Sequence, residues 1–263
     1  MKPYLYRIKA ITNLHVGSGV DNEGVIDKLI QRDVLSELPV INGSSLKGAL
    51  RNHFGSNEFV DIVFGNENDS NNNKKSAGSY RFFDANLLAL PVRSDKSPYL
   101  MATSASVISD FLNRTEAFGV KPKVALDDFL SDADELYVNK ECYSDGYIED
   151  EMRKTKSKKM NWNGLSKIVD SHRCAFLPDN TFHSLCDDSH LPVMSRNCVD
   201  EENGNLWYEQ VLPRYSCLYF ILLVPENDKY IGEFNKLLTK DVVQIGANAS
   251  VGYGYCKISL MEL

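Results

Sequence analysis

The chain has 263 residues, and its 29 Lys and Arg against 36 Asp and Glu give a formal net charge of −7. Hydrophobic residues make up 43% and charged residues 25% of the sequence, which excludes collagen-like, coiled-coil and wholly disordered chains. No apolar run reaches the ~20 residues of a membrane helix. The negative charge argues against nucleic-acid binding through a diffuse basic surface, although it is compatible with a local basic groove.

The start of the chain and its cysteines indicate the compartment. Residues 1–4 are not followed by an apolar signal core, so we expect a cytoplasmic protein without a membrane partner. In such a chain the six cysteines are expected to be reduced thiols. A cluster of His and Cys residues could bind zinc, but its spacing matches no zinc finger. We therefore favour ordinary buried thiols. These residues are His172, Cys174, His183, Cys186 and His190.

Hydrophobic periodicity predicts the first elements. Alternating β-formers predict an opening strand over residues 4–12, and a glycine-rich loop over residues 15–24 leads towards Asp27. The clearest helix follows, with Ser44 or Ser45 as its N-cap. Its buried stripe is predicted to comprise Leu46, Ala49, Leu50, His53 and Phe54. Lys47 and Arg51 are four residues apart and should project from one side of this helix.

The rest of the chain predicts an α+β protein. The polar residues 66–79 indicate a mobile surface loop, and one or two strands are expected around Asp84. A helix should be capped near Ser104 or Ser106. The later predictions are an inserted or lid region (100–195), a hairpin (196–212), a buried strand (215–224), a helix (230–238) and two strands (242–245, 255–260). This order is compatible with a single domain over residues 1–263, built on a ferredoxin-like sheet with insertions.

Three segments are candidates for chemistry. Asp27 is either a turn former or a carboxylate that places a divalent ion or orients a hydroxyl beside a phosphodiester. The helix that begins near Ser44 offers amide groups and Lys47 to an external anion, although a capped amphipathic helix with a solvated Lys would have the same pattern. The loop over residues 246–255 contains glycines whose amides could approach a phosphate, but a plain hairpin connection looks the same. Its candidate binding residues are Gly246, Asn248, Gly252 and Gly254.

The order of several motifs resembles the RAMP superfamily of CRISPR proteins, and within it the backbone subunits of type III-B effectors. The motifs are HVGSG, GVIDKLIQRD, LPVINGSSLKGALRNHF, AGSYRFFDANLLALPVRS, LWYEQVLPRYSCLYF and QIGANASVGYGY. They cover residues 5–95 and 193–258, whereas the resemblance over 100–190 is thin. No single motif identifies the superfamily, but their combination and order along the chain do.

The resemblance implies a modified RNA-recognition (ferredoxin-like) core and a filament of copies along a guide crRNA, together with other subunits of the Cmr complex. It implies that the hairpin over residues 196–212 is a thumb that displaces nucleotides at regular intervals, and that the target RNA is cut opposite them. Asp27 falls on the family's catalytic aspartate, with His15 on the same segment. Glu209 or Tyr208 would approach the cleavage site, and Lys47 and its neighbours would contact the guide backbone.

The expected reaction is metal-dependent cleavage, in which a 2′-hydroxyl attacks the adjacent phosphate. A divalent ion near Asp27, Mg²⁺ or Mn²⁺, would stabilise the developing charge. The alternative is a filament scaffold that binds RNA without cutting it. A third hypothesis, guide processing by the isolated subunit, would need His15 and His53 as an acid/base pair, and we rank it last.

Overall fold

The computed structural model describes residues 1–21, 24–66, 76–120, 135–139, 147–148, 153–154, 156–157, 160–199 and 204–261. The helices of this part are α1 (Gly43–Phe54), α2 (Val60–Phe64), α3 (Ala105–Ala117), α4 (Trp162–Val169), α5 (Asp179–Cys186) and α6 (Ile231–Lys240), with a 3₁₀ turn at Ala249–Val251.

The strands are β1 (Lys2–Ala10), β2 (Gly17–Asp21), β3 (Lys28–Ile30), β4 (Val40–Ile41), β5 (Gly65–Asn66), β6 (Ser76–Ala77), β7 (Arg81–Phe82), β8 (Ala85–Val92), β9 (Leu100–Ser104), β10 (Tyr137–Val138), β11 (Tyr147–Ile148), β12 (Arg153–Lys154), β13 (Lys156–Ser157), β14 (Cys174–Leu177), β15 (Val193–Val199), β16 (Gly204–Gln210), β17 (Cys217–Val224), β18 (Val242–Gln244) and β19 (Tyr255–Leu260).

Two large sheets organise the described residues, beside the two-stranded pairs β5–β6 and β11–β12. The larger has the strand order β13-β10-β14-β9-β8-β17-β1-β19-β18, with β4 beside β8 and β7 beside β17. Its centre is antiparallel, since β17 pairs with β8 and β1, and β1 pairs with β19. The smaller sheet has the order β15-β16-β3-β2 and is formed by the hairpin β15–β16 and the short strands before α1. The smaller sheet positions Asp27, which immediately precedes β3.

The larger sheet has a hydrophobic core on each face. Side chains alternate along β1, so Tyr6 and Ile8 belong to one cluster whereas Leu5 belongs to the other. The first cluster includes the buried stripes of α1 and α6, and the second includes those of α3 and α4. In α1 the predicted stripe is confirmed at Leu46, Leu50 and Phe54, which are all buried, whereas Ala49 and His53 are only partly buried. Because this stripe is buried, the opposite side of α1, which carries Lys47, faces an open groove.

The predicted α+β class is confirmed, as are the opening strand, the helix at 230–238 and both C-terminal strands, with small shifts at their ends. The hairpin is also confirmed as an antiparallel pair of β15 with β16, and its turn at 200–203 lies outside the described residues. The loop predicted over 15–24 is partly wrong, because Gly17–Asp21 forms β2. Pairing with β3 holds this glycine-containing segment extended, and local propensity cannot indicate such a partner.

The predicted serine cap of α1 is wrong, whereas Ser104 does occupy the N-cap position of α3 as predicted. Helix α1 begins at Gly43, so Ser44 and Ser45 lie inside its first turn, and the Asp84 carboxylate accepts the Gly43 amide at 2.6 Å. Ser104 does precede α3, but it makes no capping bond. The Asp179 carboxylate accepts the Ser106 amide at 2.9 Å instead. In both cases the acceptor comes from a distant part of the chain, which satisfies the helix end equally well.

Residues 66–79 and 100–195 were expected to be a loop and an insertion. The ends of the first segment pair as β5 and β6, and its centre at 67–75 lies outside the described residues. The second contributes β9, β10 and β14 to the larger sheet, with β14 parallel to β9. The cysteines described, Cys174, Cys186, Cys198, Cys217 and Cys256, are all free thiols. No helix in the described ranges is long and apolar enough to cross a membrane.

Candidate nucleic-acid interface

Asp27 lies where the smaller sheet begins. Its Oδ2 atom accepts a hydrogen bond from the Tyr208 backbone amide at 2.7 Å, and the next residue, Lys28, pairs with Glu209 in the parallel β3–β16 ladder. The other oxygen, Oδ1, has no hydrogen-bond partner within the described ranges. The side chain is half-buried. The hairpin therefore holds the carboxylate in place while leaving one oxygen for an external group.

Glu209 is the best-bonded carboxylate of this site. It is only 3% exposed, and its oxygens accept hydrogen bonds from the Trp207 indole at 2.7 Å and from the Asn248 amide at 2.6 Å. Lys28 and Arg196 each lie 3.8 Å from it. Burial alone would raise the pKa of Glu209, but the Trp207 and Asn248 bonds and the nearby positive charges lower it. A buried and fully bonded carboxylate is suited to holding the hairpin against the glycine-rich loop rather than to transferring protons.

His15 is also buried, at 3% exposure, and not presented to solvent. Its Nδ1 lies 2.6 Å from the Gln210 carbonyl oxygen, and its own carbonyl accepts the Ala247 amide at 2.9 Å. His15 thus connects the end of the hairpin to the glycine-rich loop. Its ring is therefore enclosed by protein rather than open to solvent, which was not apparent from its place in a glycine-rich segment.

The glycine-rich loop supports the site through backbone shape. Gly246, Gly252 and Gly254 all have positive φ, at 85°, 83° and 79°. A Cβ at Gly246 would collide with the His15 carbonyl oxygen, and one at Gly254 with the Ile245 carbonyl oxygen, whereas one at Gly252 would meet nothing within 4 Å. The amides of Gly252 and Gly254 already donate to the carbonyls of Ala249 and Asn13. These two amides are therefore engaged within the protein rather than free to bind a phosphate.

We expect alanine substitutions at three glycines to separate backbone strain from close packing. Gly246→Ala combines a left-handed φ with a collision, so it should lower the free energy of unfolding by more than the about 1–2 kcal/mol of strain alone. Gly252→Ala should show only that strain. Gly48→Ala, on the open side of α1, should stabilise the protein by about 0.5–1 kcal/mol. Urea unfolding of the three variants tests this order, and equal effects at 246 and 252 would contradict it.

Gln31 joins the segment that carries Asp27 and β3 to helix α1, a link that no sequence pattern predicted. Its Nε2 donates to Gly17 O at 3.1 Å and to Ser45 Oγ at 3.0 Å, while its Oε1 accepts the Asn42 amide at 2.8 Å. Gln31 follows β3 directly, so about 13 Å of extended chain separates it from Asp27. Ser45 therefore has a structural bond that fixes α1 relative to the carboxylate. Nothing local in the sequence marks this glutamine.

The groove beside α1 is basic and aromatic. It has a volume of about 780 Å³, and its lining includes Ser44, Lys47, Arg51, Arg81, Phe82 and Phe83. This confirms that Lys47 and Arg51 project to one side. Arg51 is held by the Gly65 carbonyl at 2.5 Å and by Asp61 at 3.5 Å, whereas Lys47 forms no ion pair with any described residue. Arg81 bonds only the carbonyls of Gly78 and Tyr80, so Lys47 and Arg81 are the cations of this groove that form no ion pair with a described residue.

The predicted His and Cys cluster does not assemble. Cys174 and Cys186 are buried in different hydrophobic cores, while His172 and His190 are exposed. Burial raises the pKa of the Cys186 thiol, which disfavours the thiolate that binds a metal. Among the residues described, no group of three or more His, Cys, Asp or Glu could hold a metal ion.

Comparison with known proteins identifies the family. The family model of the RAMP superfamily matches residues 7–257. The chain belongs to the RAMP superfamily. This RAMP protein is 31% identical over 294 residues to the CRISPR system Cmr endoribonuclease Cmr4 of Pyrococcus furiosus, with 100% of this chain and 97% of that protein covered. The resemblance drawn from the ordered motifs is therefore confirmed.

Solved structures of RAMP proteins have the same fold. The crystal structure of oligomeric Cmr4 from Pyrococcus furiosus superposes with a TM-score of 0.76 at 26% identity, covering 99% of this chain and 98% of that one. A chain of a type III-B Cmr-beta complex bound to cognate target RNA has a TM-score of 0.80 with the same coverage. Its sequence is 21% identical, so this second likeness concerns the fold alone.

Proposed function

We propose that this chain is the backbone subunit of a type III-B CRISPR effector, which binds guide crRNA and cleaves complementary target RNA at regular intervals. The observation that carries the proposal is the position of Asp27, which the hairpin amide of Tyr208 holds at 2.7 Å and which Gln31 connects to the basic groove of α1. The name of the Pyrococcus furiosus relative, an endoribonuclease of a Cmr system, supports the same reading. Its partners would be guide and target RNA, further copies and other Cmr subunits.

The proposed core is ferredoxin-like. Strands β8, β17, β1 and β19 are adjacent in that order and antiparallel, and α1 and α6 pack on the same face of them. In chain order these elements read strand, helix, strand, strand, helix, strand, which supports this assignment. The hairpin β15–β16 would then be the thumb, since it projects from the core in a separate sheet and carries the half-exposed Tyr208 beside Asp27.

Guide binding would be independent of sequence. Lys47 and the amides of the first turn of α1 would meet phosphates, Phe82 and Phe83 would provide apolar surface, and base pairing would select the target. Although the overall charge is −7, the cations of this groove would attract the RNA backbone locally.

Cleavage would be a transesterification within the target strand. The 2′-oxygen forms a bond to the adjacent phosphorus as the bond to the 5′-oxygen breaks, leaving a 2′,3′-cyclic phosphate and a 5′-hydroxyl. Displacing a nucleotide helps because it allows the 2′-hydroxyl to align with the leaving oxygen. Asp27 would orient that hydroxyl and accept its proton through its free oxygen, while a water molecule would give a proton to the leaving 5′-oxygen. Alternatively, the same oxygen would hold a Mg²⁺ or Mn²⁺ ion, which would stabilise negative charge on the phosphate, and water would then take the proton.

Substituting Lys47 tests the guide-binding surface. We expect Lys47→Ala to weaken guide binding and to reduce the slope of log affinity against log salt by about 0.7, the value for one phosphate contact on a single strand. Lys236→Ala is the matched control, since Lys236 is an exposed lysine on α6. Fluorescence anisotropy across a salt series measures both slopes, and an unchanged slope for Lys47→Ala would remove this contact from the proposal.

The activity itself is tested with the reconstituted complex, guide RNA and a matched target. Regularly spaced products with 5′-hydroxyl ends are expected. An intact target, or products ending in 5′-phosphate, would contradict the proposed reaction.

A further inference from the structure

An exposed turn at residues 33–37, which we call the acidic turn, carries two aliphatic side chains in solvent. Val34 is 99% and Leu35 is 93% exposed, and Asp33 and Glu37 flank them. A single exposed aliphatic residue is common in monomeric proteins, but two adjacent and almost fully exposed ones are a candidate contact surface.

The acidic turn is rigid. The Asp33 Oδ1 atom accepts bonds from the amides of Leu35 and Ser36 at 3.1 and 2.8 Å and from the Ser36 hydroxyl at 2.9 Å. Arg32 donates to the Glu37 carbonyl at 2.7 Å from the other side. Partial burial opposes the charge of Asp33, but the bonds from Ser36 and Leu35 outweigh it and lower its pKa. A turn already fixed in shape loses little conformational entropy when it binds.

A second surface is complementary to this turn in shape and charge. It is a groove of about 720 Å³ with an apolar lining that includes Pro91, Leu191 and Pro213. Arg93, Arg214 and His190 also line it, and no carboxylate does among the described residues. Tyr215 stacks on Tyr99 with ring centres 5.0 Å apart and lies under the Arg214 guanidinium at 5.3 Å, which supports one wall.

The turn and the groove lie at opposite ends of β8. Leu35 borders a small cavity together with Asn86, near the start of the strand, whereas Pro91 and Val92 border the groove near its end. Five or six residues of a strand span about 15–20 Å. Val34 and Leu35 do not fill the groove of their own chain, since both side chains are almost fully exposed. Two different complementary surfaces on one molecule produce a head-to-tail contact, which repeats into an open array when the rotation does not close.

We propose that the acidic turn of one copy docks in the arginine-lined groove of the next copy, with Val34 and Leu35 in its apolar part and Glu37 near Arg214. This inference rests on the proposed function, because it assigns the contact by which neighbouring subunits would stack along a guide. The occupant is a second copy of this chain, since the groove and the turn match in both apolar surface and charge.

The test measures how copies associate on a guide RNA long enough for several of them, by sedimentation velocity. The double variant Val34→Ser/Leu35→Ser should weaken contacts between copies by at least about tenfold, because it removes two aliphatic side chains from the interface. Val242→Ser is the matched control, since Val242 is a half-exposed valine on the outer strand β18. Unchanged association of the double variant would overturn the proposal.

A charge reversal identifies the groove directly. Glu37→Arg and Arg214→Glu should each weaken association, and the two combined in one chain should restore it, because the opposite charges then meet again. A combined variant no better than either single variant would overturn the assignment of the groove. Binding of a short RNA that fits one copy should stay unchanged in all of these variants. Loss of RNA binding by the unaltered chain would instead contradict the proposed function.

Discussion

Complexes assembled with Asp27→Asn are expected to bind guide and target RNA normally and to cut the target about 10²–10⁴-fold more slowly. Asparagine has the shape of aspartate and its side-chain oxygen can still accept the Tyr208 amide, so the β3–β16 pairing should survive. What is lost is the negative charge, which would otherwise orient the attacking hydroxyl or hold a divalent ion. The measurement is a single-turnover time course of the product ladder.

Asp170→Asn is the matched control for this substitution. Asp170 is a half-exposed carboxylate that pairs with Arg7 and Lys9 on the larger sheet, away from the hairpin. Its left-handed backbone, at φ 55°, is one that asparagine tolerates well. Cleavage by the control should be unchanged. An Asp27→Asn complex that cuts at the normal rate would leave the non-cutting scaffold as the better account of this chain's role.

Glu209→Gln is expected to lower the free energy of unfolding by about 1.5–3 kcal/mol at neutral pH, the range for hydrogen bonds to a charged group. The new amide would place a donor against either the Trp207 indole or the Asn248 amide, which are both donors. Lys28 and Arg196 would also lose their anion. Because Tyr208 is its neighbour on β16, cleavage should fall together with stability.

The contribution of Glu209 to the free energy of unfolding should depend on pH in a definite direction. The pKa of Glu209 in the folded state is lowered from its ordinary value of 4.5, so its contribution to stability is complete above pH 4.5. That contribution is lost as the pH falls through the lower folded pKa, so the native protein and Glu209→Gln should converge in acid. Urea unfolding at neutral and acidic pH measures this. Glu226→Gln, at an exposed carboxylate paired with the N-terminus, should change stability little. A difference that persists in acid would contradict the assigned role.

Local patterns predicted the parts of the fold that have local causes. Helix α1 was found because its apolar residues repeat at helical spacing, and β17 because eight consecutive residues suit a buried strand. Strand β2 was missed because its extended form depends on pairing with β3. The serine cap of α1 was wrongly predicted for a related reason, since Asp84 reaches that helix end from a distant part of the chain. At α3, Ser104 stands at the N-cap as predicted, but the distant Asp179 supplies the bond to the Ser106 amide.

The residues of the candidate site were also predicted where the signal is local and missed where it is not. Asp27 and Lys47 were identified from ordered motifs, and the structure places both on accessible surface. Gln31, Gln210 and Asn248 were not assigned their supporting roles, because their partners are 11 or more residues away. Gln210, for example, is fully buried and accepts the Ile30 amide, which holds the hairpin to β3. Only a tertiary structure shows such bonds.

The most direct test is a structure of the assembled complex with guide and target RNA both bound. We expect the free Oδ1 of Asp27 to face the scissile phosphate or the 2′-hydroxyl beside it, and Lys47 to contact a phosphate of the guide. An Asp27 carboxylate turned away from the RNA, or an α1 groove that no phosphate enters, would contradict the account.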